Sequence, residues 1–201
     1  MGTTPYEIIV APFEVYVAPT GEAFPDVDEA PAGNWVKLGT NGKENMDPAG
    51  LTIQHNQQID FHRAYGANAP VKATRSQEDL MVSFTLWDLK AAEYARILND
   101  NTVTATAAGA GTPGYDTVNL YRGIEVSAKA WLIRGEDASP AGDGWAVQYE
   151  IPKGIVSSSP SVQFAKNAPA GLAFELAVLF DTSETAGEEM GRFIVQTATA
   201  V

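Results

Sequence analysis

Two histidines, His55 and His62, are the only imidazole side chains in the sequence. They lie in a segment where apolar and polar residues alternate as in a β-strand, so a side-chain period of two places them on opposite faces. Cysteine is absent. A histidine-containing triad or a zinc site needs several such groups converging on one point. We therefore interpret both histidines as polar strand residues at a surface or an interface.

Three other patterns have weak chemical signatures. The acidic residues at 26–29 offer carboxylate oxygens to calcium but lack the remaining spacing of an EF-hand, so a solvated loop is favoured. Residues 109–114 are glycine-rich but lack the Gly-Lys-Ser/Thr ending of a phosphate-binding loop. Neighbouring acids at 136–137 and 188–189 lie on predicted turns, where they do not converge. We predict that the protein is not an enzyme and has no cofactor or metal.

Composition and charge further limit the classes of function. The 201 residues include 13 basic and 25 acidic side chains, for a formal net charge of -12. Phosphate contacts from Lys and Arg are what hold nucleic acid, so tight DNA binding is disfavoured. No apolar run reaches the roughly 18 residues of a membrane-spanning helix, and residues 1–7 do not resemble a signal peptide. We expect a protein without a membrane partner that stays in the cytoplasm where it is made.

The N-terminal quarter and the segment after it have different patterns. Residues 1–50 hold six of the 12 prolines, which predicts an extended region with short strands at 14–18 and 35–38. From residue 51, apolar and polar side chains alternate, and the pattern resumes at 80–86 after a break at 65–70. Residues 51–86 are therefore predicted to form a long hairpin with one polar face.

The helical pattern is confined to one short segment. Apolar residues recur at helical spacing over 88–99, with Asp88 as the expected N-cap. Residues 102–113 are small and contain glycine, which predicts a mobile connector. Alternation then predicts further strands at 117–121, 124–134, 145–151, 172–181 and 192–196.

These elements predict a mainly β fold, an antiparallel β-sandwich or partly open barrel with a long hairpin and one short α-helix. We expect a single domain over residues 1–201. Its proline-rich N-terminal region covers about 1–50, and a C-terminal arm covers about 182–201.

The opening of the chain resembles that of siphophage major tail tube proteins. The resemblance rests on residues 14–19 (EVYVAP), on Gly21 with 24–25 (FP), and on 33–35 (GNW) with 38–42 (LGTNG). The order of elements is also similar, with a long hairpin followed by a short helix and more antiparallel strands. The resemblance implies a structural subunit of the virion tail that is assembled in the host cytoplasm.

The resemblance also implies partners. Homo-hexameric rings would join their hairpins into one β-barrel around a lumen and stack into a tube, in contact with other tail proteins. Genome DNA would pass through the lumen without specific binding. A long hairpin supports this reading, because its unpaired edges invite pairing and a closed ring removes them. The alternatives are a monomeric immunoglobulin-like binding or decoration module and, more weakly, a β-rich hydrolase.

Basic and aromatic side chains concentrate where the hairpin reverses. They are Arg63, Tyr65, Lys72 and Arg75, in a chain that is otherwise acidic. Arg and Tyr are favoured at protein interfaces, so we predict that these four residues make inter-subunit contacts. The alternative is a solvated loop. Candidate acidic partners on a neighbouring ring are Asp26, Asp28, Glu188 and Glu189.

Overall fold

The computed structural model describes residues 8–9 and 11–199. The ends of the two predicted arms, residues 1–7 with 10 and residues 200–201, lie outside the described residues. In the described part the elements are β1 (Glu14–Pro19), β2 (Val36–Lys37), a 3-10 turn (Gly42–Asn45), β3 (Met46–His62), β4 (Lys72–Leu86), α1 (Ala91–Ile97), β5 (Val103–Thr106), β6 (Tyr115–Val118), β7 (Ala128–Gly135), β8 (Val147–Val156), β9 (Leu172–Val178) and β10 (Arg192–Val195).

Eight of these strands form one antiparallel sheet. Its order is β2-β1-β7-β8-β9-β4-β3, and β10 pairs with β8 beside that path. Strands β5 and β6 form a separate two-stranded sheet. The predicted class is confirmed: the fold is mainly β and antiparallel, not closed into a barrel, with one helix in the described part.

The sheet changes direction at β8. One edge of β8 pairs with β7, while the other pairs with β10 over residues 147–150 and with β9 over 154–156. Pro152 lies between the residues of β8 that pair with β10 and those that pair with β9. At that position neither strand is paired with β8, so the missing N–H of the proline costs no hydrogen bond. It also belongs to a bulge, because Pro152 and Lys153 oppose the single residue Ala130 of β7. A bulge bends a strand and increases its twist, so the β9-β4-β3 half can fold over the β1-β7-β8 half.

The core fills the space between the two halves. Strand β7 contributes the buried Trp131 and Ile133, and the opposite half contributes Phe84 and Phe174, whose rings stack with centroids 5.0 Å apart. The indole N–H of Trp131 donates to the backbone oxygen of Gly154 at 3.2 Å. Burial of these large apolar surfaces is the main stabilising term, at about 25 cal/mol per Å² removed from water.

The helix is shorter than predicted, and Asp88 does not cap it. Lys90 is the N-cap residue, and it makes no capping bond through its side chain. The Asp88 carboxylate instead accepts hydrogen bonds from Thr40 N at 2.7 Å and Asn45 Nδ2 at 2.6 Å. These contacts attach the loop after β2 to the end of the hairpin, so tertiary partners have replaced the expected local cap.

The predicted mobile connector at 102–113 is also wrong. Its first half forms β5, which pairs in register with β6 from Val103↔Val118 to Thr106↔Tyr115. The alternation of Thr with Val and Ala suits a strand, and the glycines only form the turn, where Gly109 and Thr112 are bridged. The strand predicted at 124–134 starts later, at Ala128, because residues 119–127 form a loop.

One buried carboxyl makes stability depend on pH. Burial raises the pKa of Glu93 above its ordinary value, and the hydrogen bond from Gly39 N at 3.1 Å and the nearby Arg96 offset only part of that rise. A raised carboxyl pKa means that the folded state favours the protonated form. The stabilisation that Glu93 contributes is complete below the pKa that this carboxyl has in the unfolded chain. It is lost as pH rises through the higher pKa of Glu93 in the folded state.

We predict that Glu93→Gln, which cannot titrate, becomes more stable relative to the parent as pH rises. Thermal unfolding of both proteins at about pH 4 and about pH 7.5 measures the difference in Tm, which should increase with pH. The control Glu125→Gln at an exposed position corrects for the loss of one negative charge. A difference in Tm that stays constant or decreases with pH contradicts the prediction.

Candidate assembly surface

The hairpin of β3 and β4 extends beyond the rest of the sheet. Strand β4 pairs with β9 only over residues 81–86, whereas its pairing with β3 continues to His62↔Lys72. Residues 56–62 and 72–79 therefore form a two-stranded ribbon with no third strand among the described residues. At about 3.4 Å per residue the ribbon is roughly 25 Å long. We call residues 56–79, including the turn, the projecting hairpin.

Opposite residues of the ladder share a face, so the register defines two surfaces. One face continues the core outwards from Ile53 and ends at Ile59 and Phe61, which are 39% and 62% exposed; between and beside them it also carries Gln57, Glu78 and Arg75. We call it the apolar face. The other, the polar face, is lined by amide, hydroxyl and charged groups. Its members on the projecting hairpin are Asn56, Gln58, Asp60, His62, Lys72, Thr74, Gln77 and Asp79.

The turn of the hairpin contains two of the four predicted contact residues. The guanidinium of Arg63 donates to the backbone oxygen of Asn68 at 2.9 Å and so closes the turn on itself. Tyr65 is fully exposed at the tip. Arg63 thus holds the turn in shape while Tyr65 stands free of it, an arrangement in which an aromatic side chain is available to another surface.

The other two predicted residues lie on the ladder. Lys72 is exposed on the polar face opposite His62. Arg75 stands next to a bulge in which Ser76 is the extra residue of β4, and it donates to Gln57 Oε1 at 3.0 Å and to Glu78 Oε2 at 3.1 Å. The structure therefore brings all four basic and aromatic side chains to one projecting element, with Arg75 already engaged within it.

The two histidines lie on opposite faces of β3. His55 is exposed on the apolar face, and His62 on the polar face lies 2.8 Å from Thr74 Oγ1. Across residues 8–9 and 11–199, no three His, Asp or Glu side chains come together as a metal site would need. Within the same residues, no helix has the length and apolarity that crossing a bilayer requires.

A family model described as phage tail tube protein matches residues 1–200. The chain belongs to the phage tail tube protein family. No curated protein matches it. The protein is therefore a structural tail tube subunit of a bacteriophage, a component of the virion tail that assembles with itself and with other tail proteins.

The acidic loop of this tail tube subunit is held from behind by a buried arginine. Arg134 of β7 donates to the backbone oxygens of Glu29 at 2.5 Å, Val27 at 2.9 Å and Asp26 at 3.3 Å. The carbonyl groups thus point inwards, and the side chains of Asp26, Asp28 and Glu29 are exposed. The loop presents carboxylates on the subunit surface without gathering them around a cation.

The second acidic segment is partly engaged within the chain. Glu188 is 3.6 Å from Arg192, which also pairs with the buried Glu150, and Glu189 Oε2 accepts from Gly187 N at 2.6 Å. The hydrogen bond to Glu150 raises the pKa of Arg192 above its ordinary value. Of the four acidic partners predicted for the hairpin, Asp26 and Asp28 are therefore the more accessible.

Sequence reasoning did not identify Ile59 and Phe61 as surface residues. It placed them on the apolar side of the hairpin, and that side is normally the buried one. The length of the alternating segment could have indicated this exposure. The alternation continues beyond the part of the hairpin that the rest of the chain covers. A hairpin too long for its own core exposes the end of its apolar face.

We predict that Arg134→Met releases the acidic loop of the tail tube subunit. Loss of charge-assisted bonds to three carbonyls should destabilise the fold by about 2–4 kcal/mol. Cleavage after Glu29 by a glutamate-specific protease should become faster. The control Arg122→Met removes an arginine that holds Ser158 O and Ile97 O instead. Equal cleavage rates after Glu29 in the Arg134 variant and the parent would show that Arg134 does not fix the loop.

Proposed function

We propose that this subunit forms hexameric rings that stack into a tail tube of a siphophage, around a lumen through which genome DNA passes. The observation that supports the proposal most strongly is the projecting hairpin in a chain of the tail tube family. An isolated two-stranded ribbon is at best marginally stable in water, and its unpaired edges favour pairing with another chain.

The unpaired edges of β3 and β4 indicate how neighbouring subunits would join. In the described part of the chain β3 has no partner on its outer side, and neither has β4 beyond Met81. When β3 of one subunit pairs with β4 of the next, the contact uses two different edges and can repeat around a ring. Such head-to-tail contacts close when the rotation per subunit allows it, and closure leaves no edge unpaired.

The two faces give the ring an inside and an outside. Apolar side chains such as Ile59 and Phe61 gain by burial against other parts of the tube, so the polar face is left for the lumen. Its amides and hydroxyls are accompanied by two carboxylates, Asp60 and Asp79, and by Lys72. A wall with so few cations makes few phosphate contacts, and the DNA can slide along it.

The turn carries the contacts between subunits in this proposal. Tyr65 supplies apolar area with a polar tip, and Arg63, Lys72 and Arg75 supply positive charge opposite exposed carboxylates such as Asp26 and Asp28. Residues 1–201 act as one domain, whose N-terminal region and C-terminal arm add further contacts. The tube is assembled in the host cytoplasm before the virion is released.

We predict that Arg63→Ala combined with Tyr65→Ala leaves the monomer folded and abolishes tube formation. Both side chains are exposed, so the stability should change by no more than about 0.5 kcal/mol. Electron microscopy at rising protein concentration, with and without tail-tip complex, measures assembly. The matched control is Lys166→Ala with Tyr115→Ala, one basic and one aromatic exposed residue away from the hairpin.

Tubes of the Arg63/Tyr65 variant that form as readily as those of the parent at every salt concentration would refute the contact assignment. A parent protein that stays monomeric even with the tail tip present would refute the tube itself and favour the monomeric binding module.

We predict that Gln58→Lys makes assembled tubes retain DNA, whereas Gln57→Lys does not. The two neighbouring residues lie on opposite faces of β3, so they make a matched pair. Six added cations per ring on the lumen wall should hold a short fluorescent duplex at low salt. Higher salt should release the duplex, because each phosphate contact displaces about one counterion from the DNA. Retention by the Gln57 variant alone would mean that the apolar face lines the lumen.

A further inference from the structure

Residues 119–127 expose an unusual concentration of large apolar side chains. Within seven positions, Leu120, Tyr121, Ile124 and Val126 are 67%, 78%, 93% and 59% exposed. Scattered apolar residues are normal on a protein surface, but a contiguous exposed group indicates an interaction site. We call residues 119–127 the apolar loop.

Polar side chains hold the backbone of the apolar loop from behind. Asn99 Nδ2 donates to the backbone oxygens of Arg122 and Glu125 at 2.8 and 2.9 Å, and Asn99 Oδ1 accepts from Ser127 N at 2.6 Å. Asn101 Nδ2 donates to the backbone oxygens of residues 119 and 121 at 2.6 and 3.1 Å.

Asn99 makes its contacts from a positive φ of 107°, a conformation that few residues other than glycine adopt. The loop is therefore shaped by specific bonds while its apolar side chains remain in water. A preformed apolar loop loses little conformational freedom when it docks.

A groove with matching chemistry lies elsewhere on the same chain. It has a volume of about 280 Å³. Tyr149 and Phe193 form an aromatic pair in it, with ring centroids 4.4 Å apart. The residues that line it are Ile9, Phe13, Leu51, Ile53, Tyr149 and Phe193. We call it the apolar groove.

The apolar loop and the apolar groove lie at opposite ends of β7. The loop leads directly into Ala128, the first residue of the strand. At the other end, Phe13 of the groove packs against Gly135, where an added Cβ would come within 3.1 Å of its ring, and Tyr149 is paired with Ile133. The eight-residue strand spans roughly 23 Å, so the loop cannot fill the groove of its own chain.

We infer that the apolar loop of one subunit inserts into the apolar groove of the next. A second copy is the occupant that fits best, because the family assembles with itself and each copy carries both the insert and its receptor. Two different surfaces at opposite ends make a head-to-tail contact, which repeats from copy to copy. The inference rests on the tube proposed above and adds to the hairpin a second contact, made by side chains instead of strand edges.

The absence of cysteine in the chain permits a direct test. Ile124→Cys and Phe193→Cys are made as separate variants, mixed in equal amounts, allowed to form tubes and oxidised mildly. A disulfide needs Cα atoms within about 7 Å, so a covalent heterodimer on a non-reducing gel reports that the two positions meet. The matched control replaces Ile124→Cys by Phe164→Cys, another exposed apolar position. A further variant, Ile124→Asp, should lose tube formation, while Phe164→Asp should keep it.

The expected result is a heterodimer from the Ile124 and Phe193 variants at several times the yield of either variant alone or of the control. Tubes that form, are visible by electron microscopy, and yield no such heterodimer overturn the inference while the proposed function stands. Absence of tubes from the parent overturns both. A heterodimer that appears only after deletion of residues 1–7 means that the chain's own N-terminus fills the groove, and this also overturns the inference.

Discussion

The fold depends on one long strand that divides its edge between two partners. Strand β8 pairs with β10 in its first half and with β9 in its second, and the bulge at Pro152 separates the two halves. Without that division the strands would extend as a flat sheet with one solvated face. With it, the sheet folds onto itself, Trp131 meets the β9-β4-β3 half, and the hairpin is directed away from a closed core.

The core covers only the base of the hairpin. Its base is covered where β4 pairs with β9, and in the described part of the chain its outer half has neither a third strand nor a covering layer. Elsewhere in the chain, side chains hold backbone groups in place: Arg134 binds three carbonyl oxygens, and Asn99 fixes a loop at a strained backbone conformation. The unpaired edges of the projecting hairpin therefore stand out as a property of the subunit, and in the proposed tube they are the edges that pair between copies.

Much of the fold could be predicted from the alternation of apolar and polar residues. The hairpin, the short helix and the later strands follow from that period, because it reflects burial on one face. The strand predicted at 145–151 instead runs from Val147 to Val156, because a bulge carries it past Pro152. Asp88 was predicted as a cap from its position, but its partners Thr40 and Asn45 are 48 and 43 residues away in sequence, beyond the reach of any local rule.

The candidate surfaces were only partly predictable. Basic and aromatic residues at 63–75 could be noticed because their composition differs from the rest of the chain. The apolar loop could not be recognised, since Ile124 and Val126 continue the alternation of β7 and read as part of that buried strand. Hydrogen bonds from Asn99 and Asn101 hold Ile124 and Val126 in a loop instead of in the strand. The sequence contains no sign of those long-range contacts.

The marginal stability of the projecting hairpin has a kinetic consequence. A ribbon that gains its stabilising neighbours only on assembly must be ordered at the moment of joining, and that ordering costs conformational entropy. In the proposed tube, two free subunits bear this cost together, whereas a subunit that reaches an existing ring meets an edge already in place. Starting a tube is then slow and extending one is fast. Such a protein can accumulate in the cell as separate subunits and polymerise where a template is provided.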